Sequence, residues 1–144
     1  MPLLKNNEVN QETIAAVLTA AVMEFEAEEN GNIYINNRRT ISFPCWVKFF
    51  DDARMIKLET FIQCKEETDV TALNEVCLKM NASMNLVKFT TTSYEDGRVY
   101  LNGEYDMYYN FGLITEQLIH SIRRFADIFV RSIREHDPDD QLFN

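Results

Sequence analysis

A chain of 144 residues with 46% hydrophobic and 26% charged residues has the size and make-up of one globular domain, here expected over 1–144. Its net charge of −9 excludes the basic footprint that nucleic acid demands and disfavours an anionic membrane surface. No apolar run approaches the roughly 20 residues that cross a bilayer.

The start, "MPLLKNNEVN", lacks the apolar run of a signal peptide, and a cytoplasmic location is expected. Residues 10 to 28 predict a helix: Ile14, Val17, Leu18, Ala21, Val22 and Phe25 recur at helical spacing, Asn10 can cap it, and Gly31 of "ENG" can end it. A short strand follows over 32–35, and "NNRR" turns the chain.

The loop "DDAR", 51 to 54, predicts a hairpin in which Phe50 faces Met55. That register sets Phe49 against Ile56, Val47 against Leu58, Cys45 against Thr60, Phe43 against Ile62 and Ile41 against Cys64. One face becomes almost wholly apolar, and a one-residue slip would scramble it. The other face carries Trp46, Lys48, Lys57, Glu59, Phe61 and Gln63. A second helix is expected over 69–83, capped by Asp69 or Thr68, with Leu73, Val76, Cys77, Met80 and Met84 as its stripe.

In "TSYEDGRVYLNGEYDMYYN", 92 to 110, a two-residue Asp96-Gly97 turn would oppose Phe89 to Glu104. A three-residue loop with Gly97 in the left-handed position of a bulge instead opposes Val87 to Tyr105, Phe89 to Gly103, Thr91 to Leu101 and Ser93 to Val99. Apolar then meets apolar, and Gly103 leaves room for Phe89. A long helix from about 113 to 135 carries a broad stripe that includes Leu118, Ile122, Phe125 and Phe129. The segment 137–144 reads as a mobile tail.

Cys45, Cys64 and Cys77 lie on apolar stripes with neither C-x-x-C spacing nor a nearby His, so buried free thiols are expected rather than zinc ligands or disulfides. His120 and His136 lack a ligand partner at helical spacing. Glu104 and Asp106 share an open sheet face, poor ground for acid–base work. No Gly-rich phosphate loop, G-x-S-x-G elbow or H-E-x-x-H occurs. Arg38, Arg39 and the arginines of the last helix are expected to pair with carboxylates. No cofactor or metal is implied, and no enzyme. Trp46, Phe50, Phe61, Tyr94 and Tyr100 are the candidate site: rings on the face away from the apolar ladder that suggest a patch for a protein or peptide partner. A homodimer is expected, through that face or through the broad stripe of the last helix.

The expected fold is α+β, with about five antiparallel strands in the order αβββαββα and helices on one face. This order is similar to the type III secretion chaperone-like fold. The helix ending in Asn81, the strand "LVKFTTT", "DGRVYLNGEYDM" and the long helix after "FGLITEQL" resemble the YbjN family of proposed bacterial sensory transduction regulators. That resemblance brings no catalytic residues. It implies a non-catalytic protein-binding module with a regulatory or chaperone-like role; the alternative is a small-molecule binder or enzyme using a helix–sheet pocket.

Overall fold

The computed structural model describes residues 3–36 and 39–143. Its strands are β1 Leu3–Leu4, β2 Phe25–Ala27, β3 Ile33–Ile35, β4 Cys45–Phe50, β5 Met55–Gln63, β6 Lys88–Ser93, β7 Val99–Tyr108 and β8 Leu113–Ile114; its helices are α1 Gln11–Ala20, α2 Val70–Ser83 and α3 Thr115–His136. Six strands form one sheet, ordered β2-β3-β4-β5-β7-β6, and β1 pairs with β8 in a separate ribbon. All these pairings are antiparallel. The class is α+β as expected, but the main sheet has one strand more than the five expected.

The extra strand arises where the first helix stops early. Asn10 does cap α1, its side chain accepting from Thr13 N at 3.0 Å. The helix then ends at Ala20, not at residue 28. Met23 N donates to Leu18 O and Val22 N to Thr19 O, both at 3.0 Å. These two bonds are the Schellman pair, which places the residue after the C-cap in the left-handed region, usually a Gly. Here it is Val22, at φ 59. Nothing in the sequence marks a β-branched residue as a helix stop, and Phe25 satisfies a helical repeat and a strand alternation equally well. Gly31, at φ 94, turns β2 into β3 and does not end the helix. Val22 is 78% exposed, so Val22→Gly loses no core. It should raise stability by about 1 kcal/mol by relieving left-handed strain, read as a higher urea midpoint.

The β4–β5 hairpin has the expected register, with Phe50 opposite Met55, Phe49 opposite Ile56 and Val47 opposite Leu58. The ladder ends at Trp46–Glu59, so the expected pairs of Cys45, Phe43 and Ile41 lie outside it. Pro44 has no N–H to give a ladder. Its carbonyl instead accepts from Thr60 Oγ1 at 2.6 Å, which satisfies a buried hydroxyl. The β6–β7 hairpin also has the expected register, from Phe89–Gly103 to Ser93–Val99. Gly97 sits at φ 91, and Tyr94 N donates to Arg98 O across the loop. Val87 and Tyr105 lie just beyond this ladder. Gly103 makes room for Phe129 of α3 rather than for the expected Phe89: a Cβ there would stand 2.7 Å from the Phe129 ring.

The inward side chains of the sheet join Ile14 and Leu18 of α1, Leu73, Cys77 and Met80 of α2, and Leu118, Ile122, Phe125 and Phe129 of α3 in one buried cluster. The broad stripe of α3 is thus largely spent inside the domain. The expected tail is docked. Asp137 accepts from the backbone N–H groups of Gln141, Leu142 and Phe143 at 2.9, 3.0 and 3.2 Å. Lys65 N donates to Leu142 O, Phe143 bridges to Cys64, and its side chain is 1% exposed.

Cys45, Cys64 and Cys77 are buried and form no disulfide. Burial pushes the Cys45 thiol up to about 12 and the Cys64 thiol up to about 11, and it raises Cys77. Thiols of the unfolded chain ionise near 9, so this stabilisation is complete below about pH 9. It is lost as pH rises through the folded values. Denaturant midpoints should fall between about pH 9 and 12, and a thiol probe at neutral pH should label the native protein slowly and the unfolded chain fast.

Candidate binding face

Strand alternation sends every second side chain of the main sheet away from the helices. Tyr34 of β3 stands directly opposite Trp46 of β4. Trp46 opposes Glu59, so Phe61 is its diagonal neighbour on β5. Phe61 opposes Asn102, so Tyr100 is the next diagonal step, and Tyr94 follows just past the end of β6. Diagonal neighbours of this kind are within reach of aromatic rings. The result is one continuous row of five rings. Tyr34–Trp46 centroids are 4.5 Å apart, Trp46–Phe61 stack at 5.2 Å and 10°, and Phe61–Tyr100 and Tyr100–Tyr94 meet edge to face at 5.5 Å.

Four of the five sequence-predicted residues therefore meet in the row. Phe50 shares the face but stands apart from the row, beneath Lys57 Nζ at 5.6 Å. Phe50, Phe61 and Tyr94 are 43%, 43% and 50% exposed, while Tyr34, Trp46 and Tyr100 are half-buried. Tyr34 is the residue that sequence reasoning missed. The signal was present: Ile33 and Ile35 point inward, so the residue between them must point out.

The charges on this face answer one another. Lys48 pairs with Glu59 at 3.0 Å, Lys57 with Glu104 at 3.3 Å and Asp106 at 3.9 Å, and Arg98 with Asp96 at 2.6 Å. Partial burial pulls the Lys57 ammonium down, but the carboxylates of Glu104, Asp106 and Glu59 outweigh it and leave its pKa raised. Glu104 and Asp106 thus share Lys57, and Glu104 also pairs with Lys88 at 3.6 Å. With these charges internally matched, the rings are the apolar part of the face. A concavity of about 450 Å³ lies among Phe61, Tyr94, Tyr100, Thr92 and Asn102.

The other candidates do not converge. His136 binds Ser132 O through Nδ1 and Ser83 Oγ through Nε2, so it fastens α3 to α2. Arg131 pairs with Glu135 along α3 at 3.9 Å. Arg38 lies outside the described residues. Among the described residues no group of three His, Cys, Asp or Glu side chains could hold a metal ion, and no helix is long and apolar enough to cross a membrane. A helix–sheet pocket beside Tyr105, Arg124 and Phe125 measures about 180 Å³. That is below the roughly 300–1,000 Å³ of small-molecule sites. A wider open groove of about 750 Å³ runs between α1 and α3, lined by Ala16, Val17, Ala20, Ile119, His120 and Arg123.

The YbjN family model, described as "Putative bacterial sensory transduction regulator", matches residues 10–137. The chain belongs to the YbjN family. No curated protein matches it. A crystal structure titled as YbjN, a putative transcription regulator from E. coli, superposes with a TM-score of 0.81 at 18% identity, covering 98% of each chain. An uncharacterized protein from Methanothermobacter thermautotrophicus superposes with a TM-score of 0.66 at 14% identity, covering 92% of this chain and 99% of the other. At these identities the likeness to the solved structures is one of fold. The YbjN fold thus supplies the scaffold, and the ring row is read from this chain's own residues.

Proposed function

We propose that this YbjN-family chain is a non-catalytic protein-binding module that works as a homodimer in the cytoplasm, in a regulatory or chaperone-like role. The observation that carries the reading is the row of five rings on the outer sheet face. Aromatic side chains are the residues that most often anchor protein interfaces. The stripe on α3, the other expected dimer surface, is mostly covered by the domain's own core. The antiparallel sheet with helices on its inner face also fits a type III secretion chaperone-like arrangement, and the matched charges around the rings favour a partner bound by apolar contact. A second reading, a small-molecule binder, draws on the groove between α1 and α3, whose size falls within the range of ligand sites.

The test is a Trp46→Ala, Phe61→Ala variant followed by sedimentation. Truncating an anchor costs about 2 kcal/mol or more of association, roughly thirtyfold in the dimer dissociation constant. The variant should sediment as a folded monomer at concentrations where the wild type is a dimer. A dimer that survives both substitutions removes the row as its interface, and a wild type that is monomeric at high concentration removes the dimer.

A further inference from the structure

The two edges of the main sheet differ. On β6 the edge is blocked at one residue: Asn81 of α2 donates to Phe89 O at 2.9 Å and accepts from Phe89 N at 2.7 Å, so at that position its amide takes the place of a neighbouring strand. On β2 the edge is open. Glu28 N donates to Asn32 O, so Glu28 and, by alternation, Glu26 direct their backbone groups at β3. Phe25 and Ala27 direct theirs outward, and among the described residues those groups carry no hydrogen bond. Ala27 is exposed and Phe25 half-buried. An open strand edge is a template for another strand.

The flanking charge selects the occupant. Glu24, Glu26, Glu28 and Glu29 line this edge, and none pairs with a cation among the described residues. By contrast, the carboxylates of Glu59, Glu104 and Asp106 in the middle of the sheet are all paired. A second copy laid on β2 would bring these carboxylates against their own like, which repels. We infer that β2 is a docking edge for an extended basic peptide, added as a seventh strand, with Lys or Arg at every second position beside the glutamates and apolar residues between them. Glu26 stands opposite Tyr34, so this acidic edge adjoins the first ring of the row; the inference rests on the backbone edge and its glutamates and not on the proposed dimer.

The probe is acetyl-Lys-Val-Lys-Val-Lys-Val-Lys-amide carrying a fluorophore, followed by anisotropy, with the same peptide bearing Glu for Lys as control. The basic peptide should bind and weaken as salt rises, and the acidic one should not bind. Ala27→Pro removes one outward N–H without touching the β2–β3 ladder or the net charge, a substitution that edge strands tolerate. It should weaken binding at least tenfold while the fold is kept, and so should the triple variant Glu24→Gln, Glu26→Gln, Glu28→Gln. Equal binding by the folded Ala27→Pro protein would overturn the inference, because the peptide would then be held by charge alone. If that variant does not fold, hydrogen exchange on the wild type decides: the Phe25 and Ala27 amides should become protected on adding peptide. Unchanged exchange, or protection that grows with protein concentration alone, would equally overturn it.

Discussion

Gly103→Val is expected to cost about 3 kcal/mol or more of folding stability. The new Cβ would stand 2.7 and 2.9 Å from two carbons of the Phe129 ring. That ring is fully buried and held on both sides, 6.0 Å from Phe89 and 5.1 Å from Phe43. It cannot slide away, so the sheet and α3 must part. Overpacking of this kind typically costs about 1–3 kcal/mol and sometimes more, and a strand interior gives little room to relax. Gly103→Ala should lose less. Combining it with Phe129→Leu should recover part of the loss, a coupling of about 1 kcal/mol in a denaturant double-mutant cycle. Additive losses would mean that the ring and the glycine do not share the space.

Phe143→Ala is expected to cost about 3–5 kcal/mol, the range for a fully buried phenylalanine. The reason is the docked C-terminal segment, in which a single carboxylate, Asp137, gathers three backbone N–H groups and sets Phe143 beside Cys64. Asp137→Ala leaves those donors without an acceptor and should cost about 1–3 kcal/mol. Both changes should also make Cys64 react faster with a thiol probe in the native protein while Cys45, buried under the sheet, stays slow. Equal labelling of the two would show that the whole domain had opened and not this segment alone.

Much of this architecture could be read from residues in order. "DDAR" and "EDG" dictate their own loops, and the apolar ladder then admits one register for each hairpin. The limits appear where the deciding energy is not local. Val22 adopts a glycine conformation because buried Met23 and Leu18 frame it, and no sequence pattern announces that. Pro44 does announce the end of its ladder, but the alternating hydrophobics around it fit a longer strand equally well. The tail looks polar because its one aromatic anchor, Phe143, comes after "DPDDQL", and Asp137 works by folding that segment onto itself. Of the binding face, four rings were legible from alternation alone. Tyr34 follows the same alternation between Ile33 and Ile35, but a three-residue strand does not name its neighbour, and only the pairing with β4 brings its ring to Trp46.

The Asn81 clamp has a consequence for assembly. A sheet open at both edges can add neighbours without end, and that is how strand-edge association becomes a fibre. Here the Asn81 amide occupies the Phe89 position of the β6 edge, and like charges oppose a copy at the other. A strand laid along β6 would have to displace this amide, so the two edges are unequal as points of growth. A strand added at β2 would find no equal template at the far edge, and this disfavours runaway association along the sheet.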